Sequence, residues 1–361
     1  MGIGWTPAYR AEVLGPALLG NAASKTAATA FVADGPAVCR RLTTTFPGSG
    51  GAARSARKIA QCLAKQLLSH TADGTLSGKV VSVFFDKLGQ MPAQRAIVAA
   101  SRARGAAPLT PAETASIDAL NLADGVTPGH LTTPLPWDLL LRERRTKRIV
   151  WELLGRAVFA VFCEIDGCSV EVVTEGNQWA RGYDGALPPM AVSGHGEADL
   201  LVRERSTELV EAKGHVVEIV TVDYDQVLQS LLEATAGARY LRYPKELLDM
   251  HSLRGQFGDS RDTLLTAAFF LLAAFRSDYS KSLCRPAKMK VMDFVRLMKD
   301  GDAKVVVEDV TAGGGRCLVF FPEVARTLLK QVNDNVRTMV GPILWTIAYF
   351  AEYDAFRPGG S

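Results

Sequence analysis

Apolar positions recur every third or fourth residue through residues 55–69, where Ile59, Cys62, Leu63, Gln66 and Leu67 fall on one side. The same spacing returns through residues 137–162 and 223–241, with Asp223 placed to cap the last, and each stretch is predicted to be a helix. Residues 79–104 read as one or two further helices, and 111–122 as a short one with Thr110 as its N-cap. Apolar and polar positions alternate in 169–174 and 216–221, the period of strands. Residues 177–193 read as a loop, since glycine and proline punctuate them. Residues 303–310 and 316–321 flank a Gly-rich turn and are predicted to form a hairpin. Residues 288–298, 322–333 and 336–353 carry helical patterns, while 263–275 suit a buried helix or a buried strand equally.

The segment GHGEADLLVRERSTELVEAKG, residues 194–214, holds two aliphatic runs, 198–202 and 207–213, about a polar centre at 203–206. That pattern predicts a β-hairpin. With its turn centred on Arg205, Asp199 falls opposite Glu211, with Cβ atoms about 4.5–5.5 Å apart. Lys213 shares the face of Glu211, because strand side chains alternate. The order over 137–241 is then helix, three strands, helix. The chain divides at this stage into a helical N-terminal region (1–135), an α/β core (136–285) and a C-terminal hairpin-and-helix extension (286–361).

Composition narrows the class without choosing the chemistry. Hydrophobic residues make up 48% of the 361, charged residues 22%, and the formal net charge is +3. These values suit a globular protein and do not by themselves demand nucleic acid. Cysteines at 39, 62, 163, 168, 284 and 317 form no CxxC pair, which argues against a zinc knuckle or disulfide framework and for a reducing compartment, cytoplasmic or nuclear. No uncharged apolar run reaches membrane-spanning length, so no membrane partner is expected. Residues 1–60 hold only Glu12 and Asp34 as acids among many Ala, Ser, Thr and Arg, a faint organelle-targeting pattern, and Met1-Gly2 with Thr6 meets a bare myristoylation pattern. Gly78-Lys79 lacks the spacing and the Ser/Thr of a phosphate loop, and no GxSxG, HExxH or zinc-finger pattern exists.

Two carboxylates facing each other across a hairpin repel, and a hard cation between them relieves that cost. Mg²⁺ takes oxygen ligands, eases deprotonation of a bound water and stabilises charge on a phosphoryl oxygen, while an adjacent lysine can orient the water or neutralise developing charge. Asp199, Glu211 and Lys213 in that arrangement suit phosphodiester hydrolysis. The competing expectation is an open sheet face on which Lys213 pairs with one acid.

Asp199 followed by Glu211-Ala212-Lys213 resembles the D…(D/E)xK signature of the PD-(D/E)xK nuclease superfamily. The resemblance covers roughly residues 140–275; no proline precedes Asp199, and the last core strand has no clear counterpart. It implies a restriction-endonuclease-like mixed sheet flanked by helices, a Mg²⁺ or Mn²⁺ cofactor, and a nucleic-acid partner, with DNA ranked ahead of RNA and the choice between them left open. It further implies Glu152 on the first core helix as an additional metal ligand, and Gln226 or Gln229 on the helix after the lysine strand. Independently, residues 142–148 (RERRTKR) hold five cations and one acid, so that Arg144, Lys147 and Arg148 fall on one helical side and suit phosphate contacts. Arg181, next to Trp179 in the loop before the hairpin, suits clamping a nucleotide. The alternative is a nuclease-like fold without activity, serving as a nucleic-acid- or protein-binding module or a structural subunit through its N- and C-terminal regions.

Overall fold

The fold is taken from a computed structural model of the 361-residue chain. It describes residues 14–44 (22 apart), 56–88, 110–115 (113 apart), 144–183, 189, 196–222, 225–232, 239–258, 264, 305–309 and 316–320. The class is mixed α/β, a mostly parallel sheet flanked by helices. Two compact units are distinguished: one combines Asn21–Val222 with Arg242–Lys245, the other Met1–Gly20, Asp223–Leu241 and Glu246–Ser361.

The first of these units carries β2 (Ala30–Asp34), α1 (Gly35–Thr44), α2 (Ala56–His70), β3 (Val80–Phe84), α3 (Arg144–Cys163), β4 (Ser169–Val173), β5 (Gln178–Arg181), α4 (Ala198–Lys213) and β6 (Val217–Val220). Its strands lie in the order β6-β2-β3-β4-β5; the first four are parallel and β5 returns antiparallel along β4. β2, β3 and β6 are buried throughout, as parallel strands covered on both faces must be, and their mostly apolar sequences follow from that, with Ser82 and Glu218 among the buried polar exceptions. The chain steps outward from β2 to β3 to β4, then crosses back through α4 to place β6 on the other side of β2. That reversal makes a topological switch point beside β2, and open α/β sheets bind ligands at the carboxyl ends of the strands at such a point.

The two faces of this sheet have different partners. Phe31, Ala33, Val81, Val83, Val170 and Val172 join Cys39, Ile59, Leu63, Trp151, Leu154 and Val158 in one apolar core, so α1, α2 and α3 cover that face. The alternate residues face α4, and among them are polar ones: Glu171 meets Arg205 of α4, and Ser82 donates to the same carboxylate at 3.4 Å.

The other unit contains most of β1 (Leu18–Asn21) and of β7 (Tyr240–Arg242), whose last residues Asn21 and Arg242 belong to the first unit, with α5 (Asp225–Leu232), β8 (Glu246–Asp249), α6 (Met250–Phe257) and a separate antiparallel pair, β9 (Val305–Asp309) with β10 (Arg316–Phe320). Asp249 caps α6 by accepting the His251 N–H at 3.0 Å, and Arg239 pairs with the same carboxylate at 2.9 Å.

Several expectations are met: a helix at Ala56–His70, one at Arg144–Cys163, strands at Ser169–Val173 and Val217–Val220, and the β9–β10 hairpin. Others are corrected. Residues 198–213 are one helix, not a hairpin, so the order over this region is helix, strand, strand, helix, strand, helix. Residues 80–84 form β3 rather than helix, 178–181 form β5 rather than loop, and β2 arises where no strand was expected. Strands from both sides of residue 135 pair in register, so the boundary placed there does not separate a helical region from the sheet. The stretch from Ala30, inside the targeting-like segment, is built into the sheet's centre. Residues 1–13 and Asp223, with nearly all of 89–143, 263–275, 288–298 and 322–361, lie outside the described residues. No helix among those described is long and apolar enough to cross a membrane.

Candidate carboxylate site

The helix α4 decides the fate of the expected constellation. Asp199 sits in its first turn and Lys213 in its last. At 1.5 Å per residue, Glu211 lies about 18 Å along the axis from Asp199. Glu211 and Lys213 are both exposed, whereas Asp199 is 8% exposed, so the three do not form one site. The helix ends where it should: Gly214 adopts the left-handed conformation (φ 61°), its N–H reaches Val210 O at 2.9 Å, and the His215 N–H reaches Leu209 O at 3.1 Å.

The remaining expected site residues have other employments. Glu152 accepts hydrogen bonds from Thr174 Oγ1 (2.6 Å) and from the Asn177 side chain, which ties α3 to the β4–β5 turn. Arg181 donates to the Cys163 carbonyl at the end of α3. Trp179 stacks on Phe159 at 6.4 Å. Gln226 and Gln229 are buried on α5 in the other unit and contact no solvent. Arg144, Lys147 and Arg148 open α3. Because α3 runs against the strands, that opening lies at their carboxyl ends. Arg148 is exposed there and reaches Glu175, just past β4, at 3.6 Å.

A different set of acids gathers at that edge. Asp34 ends β2, and its Cα pairs with that of Phe84 at the end of β3, two residues before Asp86. By strand alternation Asp34 lies on the face covered by α4. Asp86 Oδ1 accepts the Ala198 N–H at 3.1 Å, and the Lys87 N–H donates to Gly196 O at 2.7 Å. Those two bonds seat the start of α4 against β3. They bring Asp86 to the backbone between Glu197, which is fully buried, and Asp199. Asp34 and Asp86 thus lie at the ends of two adjacent strands, and Glu197 and Asp199 at the start of the helix that Asp86 caps; among the described residues no three of these side chains close on one point. The helix start favours negative charge nearby. Asp86 Oδ1 serves as a cap supplied by another strand; its Oδ2 makes no hydrogen bond among the described residues. Asp34 Oδ1 likewise accepts the Ala37 N–H (3.2 Å) at the start of α1. Beside Asp86 the Lys87 side chain is buried, and burial holds its ammonium below the ordinary lysine range against the opposing pull of Glu204.

Asp34 and Asp86 were missed at the level of sequence, although a signal was there. Phe31-Val32-Ala33-Asp34-Gly35 and Val83-Phe84-Phe85-Asp86 each end an unbroken aliphatic or aromatic run on an acid, the signature of a buried parallel strand delivering a carboxylate to its carboxyl edge.

Close approach at this edge depends on Gly35. A Cβ there would stand 2.8 Å from Phe85 Cε1 and 2.9 Å from the Phe84 carbonyl, and the backbone atom cannot swing aside. Gly35→Ala is expected to cost about 1–3 kcal/mol, read as a lowered urea midpoint with an unchanged slope.

No protein-family model matches the chain, and comparison with curated proteins finds no match.

Proposed function

We propose that the chain is a metal-dependent nuclease, hydrolysing phosphodiester bonds of nucleic acid at the carboxyl edge of β2 and β3. The observation that carries this reading is the Asp86–Ala198 hydrogen bond, which draws the β3 acid onto the helix start bearing Glu197 and Asp199, next to Asp34.

The donor set suits one kind of ion. All four side chains offer hard oxygen, and among the described residues no three His, Cys, Asp or Glu side chains already close on one point. Mg²⁺ or Mn²⁺ is the ion proposed on donor chemistry alone, since it takes hard oxygen, keeps several waters and binds one or two carboxylates directly. Asp86 Oδ2 and Asp199 are the residues to hold it, with Asp34 and Glu197 beside them. When bound, such an ion supplies a readily deprotonated water and stabilises phosphoryl charge. The chain's own part is to hold the acids at fixed positions through strand ends and a helix start, in a largely buried setting.

The resemblance to PD-(D/E)xK nucleases rested on Asp199, Glu211 and Lys213 sharing a hairpin. With those residues spread along one helix, the proposed chemistry is kept and its carriers change. Nucleic acid remains the proposed partner, with the cleavage test to choose between DNA and RNA, because Arg148 near the start of α3 lies at the same edge of the sheet. Arg148→Ala is expected to weaken nucleic-acid binding uniformly across sequences and to make the salt dependence shallower by about one unit of log Kd against log salt, measured by fluorescence anisotropy from low to moderate salt.

The second reading is a binding or structural module without activity. What favours it is that Asp86 and Asp34 each already cap a helix. Labelled single- and double-stranded DNA and RNA, incubated with the chain in Mg²⁺, Mn²⁺ or EDTA, separate the two. Metal-dependent cutting supports the enzyme, and a well-folded chain that cuts none of them supports the module.

A further inference from the structure

Helix α4 carries a charge where an apolar residue belongs. Ala198, Leu201, Val202, Arg205, Ser206 and Leu209 form its buried stripe, and Arg205 in the middle is fully buried. Its Nε lies 3.2 Å from Glu171 Oε2 on β4, also fully buried, and its guanidinium donates to Glu208 Oε2 at 2.7 Å. The same guanidinium stands 5.4 Å from the centre of the Tyr183 ring. Glu171 is bound from its other sides by Gln178 Nε2 (2.8 Å) and, more loosely, by Ser82 Oγ (3.4 Å). Burial, then the Glu171 charge, pushes the Tyr183 hydroxyl up to about 12, so it stays neutral at working pH.

A buried ion pair is poor value as a source of stability, since well-packed apolar residues of like volume often do as well or better; its best-attested use is to specify register. An apolar stripe slides at little cost, whereas a guanidinium with one carboxylate to meet does not. We infer that the Arg205–Glu171 pair is a positioning device, fixing the rotation and axial seat of α4 on the sheet so that the Ala198 N–H meets Asp86 and Asp199 is held in the first turn that Asp86 caps. The inference rests on the proposed metal site for its functional meaning, but the seat itself can be measured without activity.

The test is the double variant Arg205→Leu/Glu171→Leu, which removes both charges and leaves neither stranded. Arg205→Leu alone is the companion that isolates the cost of stranding Glu171. Hydrogen exchange of the full chain is followed at the peptide spanning 198–202 and at β2 and β3. The expected result is a double variant with an unchanged or higher urea midpoint, exchange at 198–202 faster by at least tenfold, and β2 and β3 unchanged. If wild type cleaves, the Mn²⁺ concentration for half-maximal cleavage also rises at least tenfold, and Arg205→Lys recovers part of it. Unchanged exchange at 198–202 in the double variant overturns the inference, because the pair is then replaceable. A lowered urea midpoint in the double variant overturns it as well, because the pair then acts through stability. Absence of cleavage by wild type counts against the nuclease reading alone, and the exchange result still decides the seat.

Discussion

Asp86→Asn and Asp199→Asn are each expected to lower metal-dependent cleavage by at least about 10²-fold, because several kcal/mol of metal-borne stabilisation are at stake and each 1.36 kcal/mol is tenfold. Glu211→Gln and Lys213→Ala, both on exposed positions at the far end of α4, are expected to stay within about threefold of wild type. Asparagine is chosen with reason. Its amide oxygen still accepts the Ala198 N–H that Asp86 now accepts, so the helix cap survives and only the charge is lost. Asp34→Asn is expected to behave in the same way, because the amide oxygen can keep the Ala37 N–H. Steady-state cleavage of a labelled oligonucleotide at saturating Mg²⁺ reads all five variants. Loss of activity in Glu211→Gln together with retention in Asp86→Asn would return the site to the opposite end of the helix.

Arg242→Met is expected to cost about 3–5 kcal/mol, the cost of removing one partner from a buried ion pair. Glu218 on β6 is fully buried and paired in register with Phe31 of the central strand. Arg242 meets its carboxylate through Nε and, at 3.1 Å, through a terminal nitrogen, while also donating to Ser24 O at 2.8 Å. Thr26 Oγ1 donates to it at 2.7 Å, and His70 Nδ1 lies 3.1 Å away. Without Arg242 the carboxylate has too little compensation. Burial alone would push the Glu218 carboxyl up, but His70 and Arg242 outweigh burial and hold it below its ordinary value. The sign follows: folding favours the ionised form, so this stabilisation is complete above the ordinary glutamate range and is lost as pH falls through the lowered folded-state value. Urea midpoints should therefore decline on acidification in wild type, and the decline should be smaller in Arg242→Met, where the pairing is gone. An equal acid decline in both would mean that Glu218 is not the responsible group.

The parts of the fold legible in the sequence are those with local causes. Ala56–His70 and Arg144–Cys163 keep a continuous apolar stripe and were read as helices; Ser169–Val173 alternates and was read as a strand. Helix α4 was misread because its two distinguishing features are not local. Arg205 and Ser206 occupy its buried stripe and split the apolar residues into two runs, and Ser206 satisfies its hydroxyl on Val202 O at 2.7 Å within the helix. The partner that makes a buried Arg205 tolerable, Glu171, is on β4, and the cap of the helix comes from Asp86 rather than from Glu197 at the N-cap position. Read without those partners, residues 203–206 look like a turn. The Lys213-Gly214 ending was the available helix signal, a basic last turn followed by glycine. For the site, Asp199 was found on reasoning that the fold does not bear out. Asp34 and Asp86 were passed over because strands β2 and β3 were not recognised, and only their parallel pairing brings the two acids side by side.

Binding of Mn²⁺ to the full chain, followed by the loss of its free-ion paramagnetic resonance signal, tests the central claim without any choice of substrate. Wild type and Glu211→Gln should bind the ion alike, and Asp199→Asn and Asp86→Asn should each bind it at least about tenfold more weakly. Equal binding by wild type and Asp199→Asn, or loss of binding in Glu211→Gln, would contradict a metal site at the carboxyl edge of β2 and β3.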